Sequence, residues 1–490
     1  MKNSIKLILI LILTFVSGFS FAQEDQEPAD YLSWEFHKGR REKLRAALPH
    51  NSVAVYFSNA IRNRANDVDY VYHQDPDFYY LTGYREPDAV LLIFKEEQRK
   101  SDGSAYSEII FVQPRNPHHE MWTGRRLGKD GVKSKLLLEE VFNNDEFKDY
   151  RLDFSKFDAI LFRDFKNDVR DNGREEGDLY DLIAQFKLKI NYPSVMVQQL
   201  STEPLPSNID THSLGKIMAS LRGIKTKEEL VLLKKAINIS AIGQVEVMKA
   251  MHPQMSETEV QGIHEFVFKK YGAEYEGYPS IVGAGANGCI LHYIDNNKPK
   301  IDNKELILMD LGAEYHGYTA DITRTIPANG KFSPEQKAIY ELVLAAQTAA
   351  IEASIAGTKW QTTRKIARDI INQGLTELGI IASMNQSHQY YPHGLGHHIG
   401  LDVHDNGLYD VFVPGMVFTV EPGIYIPHGS SCEKKWWNIA VRIEDDVMID
   451  EKGRPVLLSD KAPRSVEQIE RLMAEPSIFD NFVLPDLDKK

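Results

Sequence analysis

L-I-L-M-D-L-G-A-E-Y-H-G-Y-T-A-D-I-T-R-T, residues 306–325, sets apolar Leu306, Leu308 and Leu311 before a polar, glycine-containing centre, and closes on Asp321-Ile322-Thr323. That is the layout of a β-hairpin. With the turn centred on Tyr315 and His316, Glu314 faces Gly317, and counting outward sets Asp310 opposite Asp321, Cβ atoms roughly 5 Å apart. Like charges so placed destabilise a bare sheet, so either one carboxyl is protonated or a cation lies between them. A slipped register that sends one aspartate to solvent is the alternative.

Two more carboxylates sit in similar settings. Residues 417–423, V-F-T-V-E-P-G, form an apolar strand ending in Glu421 at a Pro-Gly turn. Residues 440–446, A-V-R-I-E-D-D, alternate so that Arg442 and Glu444 share a face, where the guanidinium can orient a carboxylate. Each glutamate alone is equally well read as a solvated strand end or a simple Arg-carboxylate pair. The run H-G-L-G-H-H-I-G (His393 to Gly400), with His404 beyond it, supplies imidazoles. Its glycines argue against a helical His-x-x-x-His pair, and position 394 lacks the glutamate of an H-E-x-x-H zinc protease. Histidines among turn glycines line a site more often than they fill a core. Spacing does not decide which of them binds metal. His73, His252 and His388, each isolated, read as surface or capping residues.

Five ordered segments resemble the pita-bread metallopeptidases: I-V-G-A-G-A-N-G-C-I-L-H-Y (281–293), M-D-L-G-A-E-Y-H-G-Y-T-A-D-I-T-R-T (309–325), H-G-L-G-H-H-I-G-L-D-V-H-D (393–405), V-E-P-G-I-Y-I (420–426) and V-R-I-E-D-D-V (441–447). Upstream, D-F-Y-Y-L-T-G-Y-R-E-P-D-A-V-L-L (77–92) and M-W-T-G-R-R-L-G (121–128) resemble the amino-terminal domain of the aminopeptidase P family, the Xaa-Pro aminopeptidases. The resemblance implies an α/β N-terminal domain followed by an α+β pita-bread (creatinase/aminopeptidase-like) catalytic domain, built as two pseudo-symmetric halves wrapped around metals. It implies that Asp310, Asp321, His397, Glu421 and Glu444 ligate two divalent ions. His292, His393 and His404 would then surround the substrate, and Arg442 would support a ligand. In one place the chain departs from the family. Trp436-Trp437-Asn438-Ile439-Ala440 stands where a small, glycine-rich approach to Arg442 is expected.

One nitrogen against four carboxylates makes a hard, oxygen-rich site that suits Mn²⁺ best, with Fe²⁺, Co²⁺ and Zn²⁺ as other occupants. Two cations about 3.5 to 4 Å apart lower the pKa of a bridging water and polarise the scissile carbonyl. The resemblance implies that Glu421 takes the water's proton and passes it to the leaving nitrogen, and that His404 and His292 stabilise the oxyanion and the proline-side amide. Substrates are expected to be peptides with proline second. An Xaa-Pro bond has no N–H at the leaving nitrogen, so peptidases that bind extended, hydrogen-bonded strands handle it poorly. An Xaa-Pro dipeptidase (prolidase) is the enzymatic alternative, disfavoured by the Trp122-Thr123-Gly124-Arg125-Arg126 match. A non-catalytic pita-bread binding protein is a further one, disfavoured by an intact ligand set.

The remaining features set the context. Lys2 and Lys6 precede an apolar run, Leu7 to Val16, and small residues up to Ala22, the layout of a secretory signal cleaved before Gln23. Export to the periplasm or medium is therefore expected. Removing that leader, with two lysines and no acid, takes the net charge from −13 to −15, which disfavours nucleic acid and anionic membranes as partners. The resemblance implies a homo-oligomer, dimer or tetramer. Only Cys289 and Cys432 occur, too few for a disulfide scaffold. The layout reads as a leader (1–22), an N-terminal domain (23–203) with strands at 52–57 and 89–94 and a helix near 179–186, a linker (204–214) on Pro204-Leu205-Pro206, a catalytic domain (215–473) and a tail (474–490). A capping box, Thr226 with Glu229, launches a helix through Leu230, Leu233 and Ile237.

Overall fold

The computed structural model describes residues 30–173, 175–193, 205–482 and 484–485; the expected leader lies outside them. Among the described residues no helix is long and apolar enough to cross a membrane.

The amino-terminal part is a six-stranded mixed sheet flanked by helices. Its strands run Glu140–Asn143, Ala105–Val112, Val90–Arg99, Ser52–Phe57, Ala159–Leu161 and Ile209–Asp210 across the sheet. Pairing is antiparallel around Val90–Arg99 and parallel at both margins. One face is an aromatic core in which Phe94, Phe111, Phe147, Phe154, Phe162 and Phe186 are all buried. Phe186 reaches it from the helix Leu179–Lys189, which Asp178 caps by accepting from the Asp181 amide. The stretch read as a linker is more ordered than its prolines suggested. Ile209–Asp210 is the sixth strand, Ile160 facing Ile209, and the helix Ser213–Arg222 starts directly afterwards. A two-residue edge strand has no periodicity to detect.

The carboxyl-terminal part repeats one theme twice. In the first half, helices Lys227–Ala250 and Glu257–Lys270, each opened by a capping box, accompany an antiparallel sheet of Ile281–Ala284, Leu306–Leu311 and Ile322–Pro327. In the second, helices Pro334–Ala353 and Trp360–Glu377 accompany Val417–Val420, Asp445–Ile449 and Pro455–Leu457, with Gly423–Ile426 paired to Ile439–Arg442. Apart from the edge strand Pro455–Leu457, these strands are buried along almost their whole length. Fully covered sheets read as near-continuous apolar runs, which is why a charged residue at a strand end stands out here.

Candidate metal centre

The hairpin of residues 306–325 forms, with its turn one residue later than the sequence suggested. His316 (φ 50°) and Gly317 (φ 85°) are the two central residues, and Tyr315 faces Tyr318. Two consecutive positive φ values define the tight turn that matches strand twist, and they want glycine in the second place. Asp310 is accordingly opposite Thr323, not Asp321. The pairing has slipped by two residues, and since side chains alternate with period two, both carboxylates keep their face. They still meet. A Cβ on Gly312 would lie 1.7 Å from the Ala320 carbonyl oxygen, so only glycine lets the strands approach where the ladder opens beside Asp321. The Tyr278 hydroxyl is 2.6 Å from Asp310 Oδ1 and 2.6 Å from Asp321 Oδ1.

The second half brings the other candidates to the same place. The Thr419 amide donates to the His397 carbonyl (2.9 Å) and the Glu421 amide to that of Leu395 (2.8 Å), which aligns the glycine-rich run beside the strand. His397 Nε2 thereby comes within 3.5 Å of both Asp321 Oδ2 and Glu421 Oε1. Glu444 Oε2 accepts from the Thr323 hydroxyl at 2.7 Å. One donor atom each from Asp321, His397 and Glu444 lies within 4.8 Å of the others. Arg442 runs behind them, donating to Asp310 Oδ2 (2.6 Å), Tyr425 Oη (2.9 Å) and Thr323 Oγ1 (3.1 Å).

Electrostatics say what this cluster wants. Burial, then the charge of Asp310, drives the Asp321 carboxyl far above the usual carboxylate range. Burial, then Asp321 and Glu421, does the same to Glu444. Glu421 is also raised, burial outweighing the opposing pull of His397 and Arg442. Asp310 alone is held below its ordinary value, since Arg442 and Tyr278 overcome its burial. One phenolic proton serves one carboxylate at a time, so the remaining carboxyls must share protons or face cations. His397 fits the second solution. Its Nδ1 is 3.1 Å from the His398 carbonyl, which orients the ring, and its Nε2 faces the carboxylates. One ring nitrogen set among carboxylate oxygens is a donor arrangement that a cation can occupy. The donor set therefore fits divalent ions.

The other expected residues surround this core. His393 places Nε2 2.8 Å from Tyr425 Oη and Nδ1 3.7 Å from Glu421 Oε2, and burial pushes its pKa down to about 4. The His404 ring lies edge-on to His397 at 4.3 Å, and His292 is exposed. Cys289 and Cys432 are free, and burial pushes the Cys289 thiol up to about 11, so it is a poor nucleophile. Sequence reasoning missed Tyr278 and Thr323. No local pattern marks Tyr278, whereas Thr323 could have been found from its place opposite Asp310 once the turn was set correctly.

Comparison with known proteins fits this geometry. The description "Metallopeptidase family M24" matches residues 231–451, and "Aminopeptidase P, N-terminal domain" matches residues 37–158. The Xaa-Pro aminopeptidase of Haemophilus influenzae is 35% identical over 450 residues, 89% of this chain and 96% of that protein. The chain belongs to the aminopeptidase P family of M24 metallopeptidases. Aminopeptidase PepP of Pseudomonas aeruginosa superposes with a TM-score of 0.78 at 33% identity, covering 91% of this chain and 99% of that one. Aminopeptidase P from E. coli with the inhibitor Pro-Leu gives 0.77 at 30% identity over 90% and 98%. In the stretch where a glycine-rich approach to Arg442 was expected, Asn438 adopts φ 61°. Asparagine is a residue that tolerates the left-handed region.

Proposed function

We propose that the chain removes the first residue from peptides with proline second, using two divalent ions held by Asp310, Asp321, His397, Glu421 and Glu444. The observation that carries this is the convergence of Asp321, His397 and Glu444 donor atoms within 4.8 Å, joined to full-length likeness to an Xaa-Pro aminopeptidase. That likeness also favours an aminopeptidase over a strict dipeptidase. The oxygen-rich donor set favours Mn²⁺.

When bound, the ions supply a nucleophilic hydroxide at neutral pH and polarise the scissile carbonyl. The chain supplies the rest. Glu421, raised by burial, is poised to accept a proton and deliver it to the proline nitrogen, a tertiary amide that cannot leave unprotonated. His393, kept neutral near pH 7 by burial, and His404 and His292 offer imidazole hydrogen bonds to the substrate. Arg442 keeps Asp310 ionised and in place.

The test is hydrolysis of Arg-Pro-Pro and Gly-Pro by chelator-stripped protein before and after Mn²⁺, Co²⁺ or Zn²⁺. Metal-dependent release of arginine from the tripeptide is expected; cleavage of the dipeptide alone would make the protein a prolidase. We also infer export, supported by the leader composition, so mature protein from a bacterial host should begin at Gln23. An oligomer is supported by apolar side chains left in solvent, Met121 at 74% and Trp122 at 79% exposure, and light scattering would measure its size.

A further inference from the structure

Beside each carboxylate pair of the metal site, one buried glutamine ties two backbone carbonyls together. In the first half, the helix Lys227–Ala250 carries Gln244, whose Nε2 donates to the carbonyls of Met309 (3.2 Å) and Ile322 (2.9 Å). In the second, the helix Pro334–Ala353 carries Gln347, whose Nε2 is 3.0 Å from the carbonyl of Val420 and 3.0 Å from that of Ile443. Those four carbonyls adjoin the four carboxylate residues: Met309 precedes Asp310, Ile322 follows Asp321, Val420 precedes Glu421 and Ile443 precedes Glu444. Both glutamines are 0% exposed.

Three of these carbonyls stand where a ladder ends, since Ile322 opens its strand, Val420 closes its strand and Ile443 lies between strands, whereas Met309 is paired on both sides. Asp321 lies just outside the strand Ile322–Pro327, and Glu421, Ile443 and Glu444 fall between strands. Where a ladder opens, backbone carbonyls lose their partners, and a buried carbonyl without one costs about 1–3 kcal/mol. A side-chain amide has two N–H donors and spans two carbonyls on neighbouring chains. Holding a carbonyl fixes its peptide plane, and with it the direction in which the adjoining carboxylate leaves the backbone. Simple packing would not select such a residue. Gln244 Oε1 is buried with no partner among the described residues, so this position retains a polar group at a cost that an apolar side chain would avoid.

We propose that Gln244 and Gln347 are a matched pair of positioning residues, one in each half, that set the separation of Asp310 from Asp321 and of Glu421 from Glu444 and so set the affinity for the metal ions. The inference rests on the metal-dependent reading above. Gln347 is the more anchored of the two: its Nε2 also meets Asp445 Oδ2 at 2.9 Å and its Oε1 accepts from Arg464 at 3.1 Å. Among the described residues Gln244 holds only the two carbonyls, so its replacement disturbs the carboxylates and little else.

The experiment is calorimetric titration of full-length, chelator-stripped protein with Mn²⁺, comparing wild type with Gln244→Met and Gln347→Met, which keep chain length and remove the donors. Each is expected to weaken Mn²⁺ binding about 10–100-fold, the usual effect of removing a partner that orients a ligand, while the metal-free protein keeps its circular dichroism. Gln244→Asn and Gln347→Asn, which keep the amide but retract it by one methylene, serve where a methionine variant does not fold, with the same loss expected. Variants that are less stable but bind Mn²⁺ as tightly as wild type would overturn the inference and leave the glutamines as packing residues. A wild type that takes up no divalent ion would overturn both this inference and the functional reading beneath it.

Discussion

Arg442 Nη2 lies 2.6 Å from Asp310 Oδ2, with both side chains inside the protein. The same guanidinium holds Tyr425 and Thr323, and Thr323 in turn holds Glu444, so one side chain ties carboxylates of both halves together. Lysine has a single ammonium and cannot reproduce that fork. Arg442→Lys should therefore weaken Mn²⁺ binding about 10–100-fold and lower kcat/KM at least as much. Calorimetry and steady-state kinetics on Arg-Pro-Pro would measure both. Wild-type affinity in this variant would show that Asp310 needs no such support.

Asp321 and Glu444 pull stability in opposite directions in the two forms of the protein. Their carboxyls are raised far above the usual range by burial and by neighbouring carboxylates, Asp310 for Asp321 and Asp321 with Glu421 for Glu444, so without cations their charge is a burden. Asp321→Asn or Glu444→Gln should raise the melting temperature measured in chelator and abolish most of the rise that Mn²⁺ gives wild type. Turnover should fall about a thousandfold or more, since a metal centre contributes several kcal/mol to the transition state. Melting curves with and without metal decide it. Variants that melt lower in chelator would contradict the repulsion argument.

Much of this site was legible because charged residues end otherwise apolar strands, a pattern that requires no alignment to notice at Asp310, Glu421 and Glu444. The turn was misplaced because Gly317 reads as following a turn as naturally as lying within it. Alternation forgave the error, since a two-residue slip leaves Asp310 and Asp321 on one face. Which imidazole faces the carboxylates was open on spacing alone, because His397 and His398 are neighbours in one glycine-rich run. Burial separates them: His398 is 0% exposed, with Nε2 on the Leu408 carbonyl and its ring against Trp360 and Tyr409. Tyr278, Gln244 and Gln347 act only through contacts distant in sequence. A glutamine on a helix reads as a solvated position until its neighbours are known.

Two histidines away from the site should make folding acid-sensitive. Burial pushes His37 and His264 down to about 4, against an ordinary value of 6.5. The unfolded chain then binds more protons between these values, so stability is complete above about pH 6.5 and is lost as pH falls toward 4. At pH 5 each contributes a loss of about 2 kcal/mol. His264 packs so closely on Gly243 that a Cβ there would meet its ring at 3.1 Å, leaving little room to admit water. Denaturant melts from pH 7 to 4.5 should show His264→Leu with a shallower decline than wild type. Parallel curves would mean that His264 is not among the groups responsible.

The glycines of the H-G-L-G-H-H run are not equivalent, and the difference gives a paired test. A Cβ on Gly396 would lie 1.9 Å from the Thr419 carbonyl oxygen and 2.8 Å from its carbon, backbone atoms that cannot swing aside. A Cβ on Gly394 would meet nothing within 4 Å. Gly396 sits between the two hydrogen bonds that align His397 and Glu421, Thr419 N to His397 O and Glu421 N to Leu395 O. An added methyl must push those segments apart by more than an ångström to reach ordinary contact, widening the 3.5 Å between His397 Nε2 and Glu421 Oε1. Misplacement on that scale costs about a hundredfold in rate. Gly396→Ala should lose at least that much in kcat/KM together with bound metal, while Gly394→Ala stays within a few-fold of wild type. Metal content and kinetics measured side by side distinguish the cases, and an active, metal-replete Gly396→Ala would show that the approach of these two chain segments does not govern the placement of His397.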